Sequence, residues 1–190
     1  MARSIESTDS SVAVLAGGGI DSALCMHLLK AEGKAFRAVH VDFGQDAREM
    51  EWTSVFQTAA RFGVPAEQIV VRGEARFSPD EVRGRNASLI FLALMHLRPT
   101  EKLICIGIHA GTPFYDCSMT FFNDISRLVA EHTDSRVRLI APLREYGKPE
   151  IVALARSMGL RFELTYSCQR GVEGGCGVCH SCKDRKALAC

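Results

Sequence analysis

The sequence predicts an α/β fold: a Rossmann-like, five-stranded parallel sheet with helices on both faces, followed by a small C-terminal appendage. Three observations carry that prediction. Short β-branched runs alternate with longer amphipathic segments along most of the chain. Three consecutive glycines interrupt the first strand-to-helix passage. Four of the eight cysteines crowd into residues 168–182.

The elements follow in order. Residues 12–15 (VAVL) read as a buried strand, then come the glycines and a helix over 21–31. A second strand spans 36–42, and a long helix over 47–62 stops near Gly63 and Pro65. Residues 69–71 are a short strand, and 86–96 (NASLIFLALMH) a helix with a strongly apolar face. A fourth strand over 103–108, a helix over 119–131, a fifth strand over 137–141 and a helix over 149–158 ending at Gly159 complete the pattern. Parallel strands need crossover connections, and alternation at this spacing supplies them as helices. Residues 12–164 thus form one α/β domain, 1–11 a flexible polar leader without a signal-peptide core, and 165–190 a Gly/Cys-rich, irregular tail.

Composition narrows the function. A chain of 190 residues suits one core. A net charge of +1 and a pI of about 7.6 argue against a partner recognised mainly through nucleic-acid phosphates. No apolar run approaches the roughly 18 residues that span a bilayer. These features together predict a cytoplasmic protein without a membrane partner.

Parallel sheets bind ligands beyond the carboxyl ends of their strands. The richest such end is Leu15-Ala16-Gly17-Gly18-Gly19-Ile20-Asp21-Ser22. Glycines let backbone N–H groups come close to an oxyanion, and the helix that follows aims its N-terminus at the same spot, with Asp21 or Ser22 as its cap. The chemistry suits a phosphate or pyrophosphate. Neither a Walker A lysine nor a G-x-G-x-x-G pattern is present.

The cysteine cluster, Cys168-x7-Cys176-x2-Cys179-x2-Cys182, has the knuckle spacing of a four-thiolate metal site, with Gly171, Gly174, Gly175 and Gly177 supplying turns. Zn2+ is the expected ion, and a closed thiolate shell makes it structural; an iron–sulfur cluster is the competing use of four thiolates. Cys25, Cys105, Cys117 and Cys190 lie outside the cluster, and His180 reads as a surface residue within it.

The glycine loop resembles the SGGxDS loop of the PP-loop ATP pyrophosphatases, of adenine nucleotide alpha hydrolase-like fold, with Gly17 in place of the first serine. Loop and knot together resemble the 7-cyano-7-deazaguanine synthase family, and the resemblance runs from Val12 to about Lys186. It rests also on Asp42-Phe43-Gly44-Gln45, Gly84-Arg85-Asn86, Tyr115-Asp116-Cys117, Pro142-Leu143, Lys148-Pro149-Glu150-Ile151 and Glu163-Leu164-Thr165-Tyr166-Ser167-Cys168. That resemblance implies a homodimeric ligase using ATP and Mg2+. It would adenylate 7-carboxy-7-deazaguanine and join it to ammonia, first as an amide and then, with a second ATP, as the nitrile.

It also implies site residues. Leu15 to Ser22, with Asp42, would hold the nucleotide. Asp21, Ser22, Arg85 and Lys148 would serve catalysis, Arg85 and Lys148 as counter-charges to the anionic groups. Arg85, Asn86, His109, Tyr115 and Asp116 would line the substrate pocket, with Asp116 accepting from the N1–H and 2-amino groups of the deazaguanine. Three have a plainer alternative: a surface ion pair for Arg85, an exposed helix start for Lys148, an N-cap of the 119–131 helix for Asp116. Phe121 and Phe122 read as core.

The chain departs from the family around the pocket. The segment between Val71 and Gly84 is trimmed, Asp46-Ala47 replaces an Arg-His pair, the 109–115 loop is short, and Ser118 replaces an arginine. These departures resemble the synthase-like proteins of antiphage operons, which implies an alternative acceptor such as a protein N-terminus. Two further alternatives are a non-catalytic nucleotide-binding scaffold and a tRNA thiolase using Cys105 or Cys117.

Overall fold

The structure, a computed structural model, describes residues 11–73 and 82–190. The predicted leader, apart from Ser11, and most of the trimmed segment before Gly84 lie outside the described residues. The elements run β1 (Ser11–Leu15), α1 (Ile20–Ala31), β2 (Phe36–Asp42), α2 (Arg48–Phe62), β3 (Ala66–Val70), α3 (Arg85–Met95), β4 (Glu101–Cys105), α4 (Met119–His132), β5 (Arg138–Ile140), α5 (Lys148–Ser157) and α6 (His180–Ala187). Short 3-10 turns fall at Tyr115–Cys117 and Phe162–Leu164.

All strand pairs are parallel, in the order β3-β2-β1-β4-β5. Successive side chains of β1 point to opposite faces, as the period of a strand requires. Val12 and Val14 enter a core with α1, α2 and α5, whereas Ala13 and Leu15 enter a second core with α3 and α4. Burial on both faces is why β1 is an unbroken apolar run. Phe121 and Phe122 are core, as expected.

Two expectations need correction. The fourth strand ends at Cys105, not Ile108. Ile106 still donates to the Ile140 carbonyl at 3.0 Å, but Gly107 then passes so close to α1 that a Cβ there would sit 3.1 Å from the Asp21 carbonyl carbon. The tail, expected to be irregular throughout, closes with α6. That helix (HSCKDRKA) buries no residue, so it has no apolar period to reveal it; Cys179 stands at its N-cap position.

The amino-terminal end of the sheet is tied by charge. The Arg37 guanidinium donates to Glu101 at 2.6 and 2.9 Å, to Glu67 at 2.7 Å and to the His96 carbonyl at 2.8 Å. Arg98 also pairs with Glu67. Arg37 and Glu101 are each only 2% exposed.

Candidate active site and metal centre

The strand order reverses direction between β1 and β4, and ligands of such sheets sit beyond the carboxyl ends at that switch point. The glycine loop occupies it. Gly18 has φ of +73°, and a Cβ there would lie 2.8 Å from the Glu51 carbonyl oxygen, so only glycine lets the loop pack on α2. Gly17 differs: a Cβ would meet nothing within 4 Å. The side chains of Leu15, Ala16 and Ile20 are buried, so these residues can offer a ligand only their backbone.

Neither Asp21 nor Ser22 caps α1. The helix begins at Ile20 with Gly19 as its N-cap and no side-chain cap, because both residues already lie inside the first turn. Ser22 Oγ donates to the Gly19 carbonyl at 3.1 Å, and Asp21 is turned to Lys148. The first-turn N–H groups are therefore left to water or to an anion.

Three contacts fix the loop from behind. The carbonyl of Ala16 lies 3.0 Å from His40 Nδ1, so Nδ1 carries the proton and donates. The carbonyl of Gly18 accepts from Tyr166 N at 2.8 Å and from Ser54 Oγ at 2.9 Å. The Ser54 hydroxyl also touches the Leu164 carbonyl. His40, Ser54 and Tyr166 were not read from the sequence as part of this site. Their contacts are long-range, and nothing local signals them.

In front of the loop stands a pair of opposite charges. Lys148 Nζ, in the first turn of α5, lies 2.6 and 2.8 Å from the two Asp21 oxygens, and His109 Nε2 lies 3.8 Å from one of them. Lys148 and Asp21 keep 28% and 25% of their side-chain surface exposed, so the pair is open to solvent. His109 Nδ1 is 2.6 Å from the Ala110 carbonyl. Asp42 ends β2 on the same side, its Oδ1 accepting from Gly44 N at 2.9 Å. Nearby, Glu51 is held above the usual carboxylate range by burial, against the pull of the Gln45 amide at 2.8 Å and the charges of His40 and Arg85.

A second group gathers at the N-terminus of α3. Asp116 Oδ2 accepts from Asn86 N at 3.3 Å, and Asn86 Nδ2 donates to the Asp116 carbonyl at 3.0 Å. Asp116 does not cap α4; Ser118 Oγ does, accepting from Phe121 N at 3.1 Å. Arg85 is exposed, reaches Asn86 Oδ1 at 3.4 Å, and forms no ion pair among the described residues. Burial pushes the Cys117 thiol up. Tyr115 is not drawn into this group. It is 63% exposed, with its hydroxyl 3.5 Å from Asp124 and its ring edge-on to Phe121.

The four cysteine sulfurs lie within 4.8 Å of one another, with Cys176 Sγ and Cys182 Sγ 4.0 Å apart. A tetrahedral ion about 2.3 Å from each sulfur spaces its ligands by about 3.8 Å, so this set can hold one zinc-sized ion. A multi-iron cluster would spread its thiolates more widely. Backbone donors are in place: Cys176 N to Cys168 Sγ at 3.4 Å and Cys179 N to Cys176 Sγ at 3.3 Å. Burial opposes ionisation of Cys168, but the N–H groups of Arg170, Cys176 and Val172 outweigh it and draw its pKa to about 6. All four glycines assigned to the knot have positive φ.

The chain matches the family model described as queuosine biosynthesis protein QueC over residues 11–75 and 72–189. It is 29% identical to 7-cyano-7-deazaguanine synthase 2 of Rhodopseudomonas palustris (strain HaA2), over 90% of this chain and 93% of that one. It is 29% identical to 7-cyano-7-deazaguanine synthase of Aquifex aeolicus (strain VF5), over 92% and 94%. Among solved structures, NMN synthetase from Francisella tularensis superposes with a TM-score of 0.60 at 12% identity, covering 96% of this chain and 78% of that one; that likeness speaks to the fold alone.

Proposed function

Given that this chain belongs to the family of queuosine biosynthesis protein QueC, we propose that it is an ATP-dependent ligase acting on 7-carboxy-7-deazaguanine. A carboxylate is a poor electrophile at neutral pH. Attack of its oxygen on the α-phosphorus of ATP releases pyrophosphate and leaves an acyl adenylate. Ammonia then displaces AMP and loses a proton, giving the amide. A second round places AMP on the amide oxygen, and loss of AMP and two protons gives the nitrile.

The observation that carries this reading is the uncapped start of α1 at the switch point, faced by a half-exposed Asp21–Lys148 pair. In the proposed site the N–H groups of 17–22 hold the phosphates. Lys148 supplies a positive charge to the α-phosphate or leaving pyrophosphate, and Asp21 holds that ammonium in place or shares Mg2+ with ATP. Asp42 lies on the nucleotide side. Arg85, which forms no ion pair among the described residues, receives a carboxylate or phosphate, and Asp116 accepts from the deazaguanine edge while Asn86 orients it. Ser22 bonds back to the loop and supports its shape; His109 stands beside Asp21. The cysteine knot holds structural Zn2+, and reduced thiolates suit a cytoplasmic enzyme.

One observation favours a second acceptor. Phe114, Tyr115 and Met119, close together in sequence at the carboxyl end of the sheet, are 38%, 63% and 46% exposed, a rim that suits an amine larger than ammonia. Incubation with ATP, 7-carboxy-7-deazaguanine and ammonia, read by mass spectrometry, tests both. Pyrophosphate and the nitrile are expected from the synthase. An amide that forms only on a larger amine supports the second reading, and absence of pyrophosphate overturns both.

A further inference from the structure

We propose that Arg185 is a positioning residue for the glycine loop, so that closure of the cysteine knot sets the geometry of the Gly18 peptide. The inference deepens the ligase reading, in which that loop holds the phosphates of ATP.

The connection is a strap of chain, residues 162–167, lying between loop and knot. On its loop side, Tyr166 N donates to the Gly18 carbonyl at 2.8 Å, and the Ser54 hydroxyl bridges the Gly18 and Leu164 carbonyls. A Cβ built on Gly19 would meet the Tyr166 carbonyl at 3.8 Å and Ser167 Oγ at 3.9 Å, so the strap runs beside Gly19 with about a side-chain carbon's width between them.

On its other side stands Arg185. Its Nη1 donates to the Thr165 carbonyl at 3.0 Å, to Thr165 Oγ1 at 2.8 Å and approaches Ser167 Oγ at 3.4 Å. Its Nη2 donates to the Phe162 carbonyl at 3.0 Å, and its Nε to the Cys190 carbonyl at 3.1 Å. All three guanidinium nitrogens are thus used on neutral oxygens, and its partners bracket the strap.

Arg185 is carried by α6, with Cys179 at the N-cap and Cys182 in the first turn; Cys168 directly follows the strap. Three of the four sulfurs therefore sit on the segments that Arg185 joins. Tyr166 adds a second tie, its hydroxyl donating to the Val172 carbonyl inside the knot at 2.9 Å. Opening the knot releases α6, withdraws the Arg185 fork, and leaves the strap anchored to Gly18 without a brace behind it.

The test uses the full chain with measured metal content, comparing Arg185→Met with Arg156→Met. Arg156 donates to the Leu188 and Ala189 carbonyls at 2.7 and 2.9 Å and lies over the Phe162 ring at 5.9 Å, so its loss loosens the same tail and one ring contact of the strap without taking a hydrogen bond from it. Two quantities are read: ATP affinity by calorimetry, and amide exchange of residues 16–22 without nucleotide. Metal-loaded Arg185→Met is expected to bind ATP about tenfold more weakly, as when the competent loop population falls to about a tenth. Its loop amides exchange faster, while Arg156→Met matches the parent in both. Should Arg185→Met fail to retain metal, Arg185→Lys, which keeps the charge but only one nitrogen, is expected to show the same pattern. Unchanged loop exchange in a metal-loaded Arg185 variant, or an equal effect of Arg156→Met, overturns the proposal. A parent protein that binds no ATP overturns the ligase reading instead, and the exchange comparison still decides the brace.

Discussion

The two ends of the sheet carry charges in opposite conditions. At the amino-terminal end, Arg37 is buried and spends its fork on Glu101, Glu67 and the His96 carbonyl. At the carboxyl end, Asp21 and Lys148 pair while keeping about a quarter of their side-chain surface open, and Arg85 forms no ion pair among the described residues. A buried, fully paired charge has nothing left for a ligand, whereas a half-exposed one can change partners when a phosphate arrives. One end therefore sets the register of β2, β3 and β4, and the other is available for chemistry.

The comparison breaks if either end behaves like the other. Arg37→Met strands the buried Glu101 carboxylate, while Glu67 keeps Arg98, and is expected to cost about 3–5 kcal/mol of stability. Urea unfolding measures that loss, and the folded fraction should retain the parent's kcat/KM. Lys148→Met should do the reverse, lowering kcat/KM by roughly a hundred- to a thousand-fold, the usual loss when a preorganised charge is removed from a transition state. Its unfolding midpoint should move little, since a half-exposed pair contributes modestly to stability. Gly17→Ser sharpens the contrast. A side chain there meets nothing within 4 Å, so a hydroxyl can be added beside the phosphates without strain. ATP affinity, measured by calorimetry, should rise about tenfold, the scale of one hydrogen bond to a charged group. An unchanged Kd would place the phosphates away from residue 17.

These two ends were unequally legible in the sequence. The five strands and both helical faces were readable because β1, β2 and β4 are buried enough to leave apolar runs, as in Val12 to Leu15. The cysteine cluster was readable because a thiolate metal site calls for the short local spacing that Cys176, Cys179 and Cys182 have. Helix α6 was not, since it buries nothing and offers no period. The Arg37 network was not, because its partners lie 30 and 64 residues away. Lys148 was picked out as a counter-charge, but its partnership with Asp21 spans 127 residues and leaves no pattern in either segment. Tyr115 was named from its motif, but its neighbours Asp124 and Phe121 lie further along the chain and were not read. Ser54 and Tyr166 hold the Gly18 carbonyl from α2 and from the strap, and only the fold brings them together.

Glu51 tests the boundary between the two conditions, since it is neither fully paired nor open. Burial raises its pKa above the ordinary carboxylate value, and the Gln45 amide only partly offsets this. The folded protein therefore binds a proton at Glu51 more tightly than the unfolded chain does. Between the unfolded and folded pKa values the native state carries the excess proton, so stability falls as pH rises through that window. The stabilisation is fully present below the unfolded pKa and lost above the folded one. Glu51→Gln keeps the size of the side chain and cannot ionise. It should flatten the decline just above the carboxylate range and leave the variant slightly more stable at neutral pH, an effect smaller than that of any substitution above. Unfolding midpoints measured across that range decide it. A slope unchanged by the substitution would assign the decline to another group, and Glu51 would then belong with the open charges of the carboxyl end.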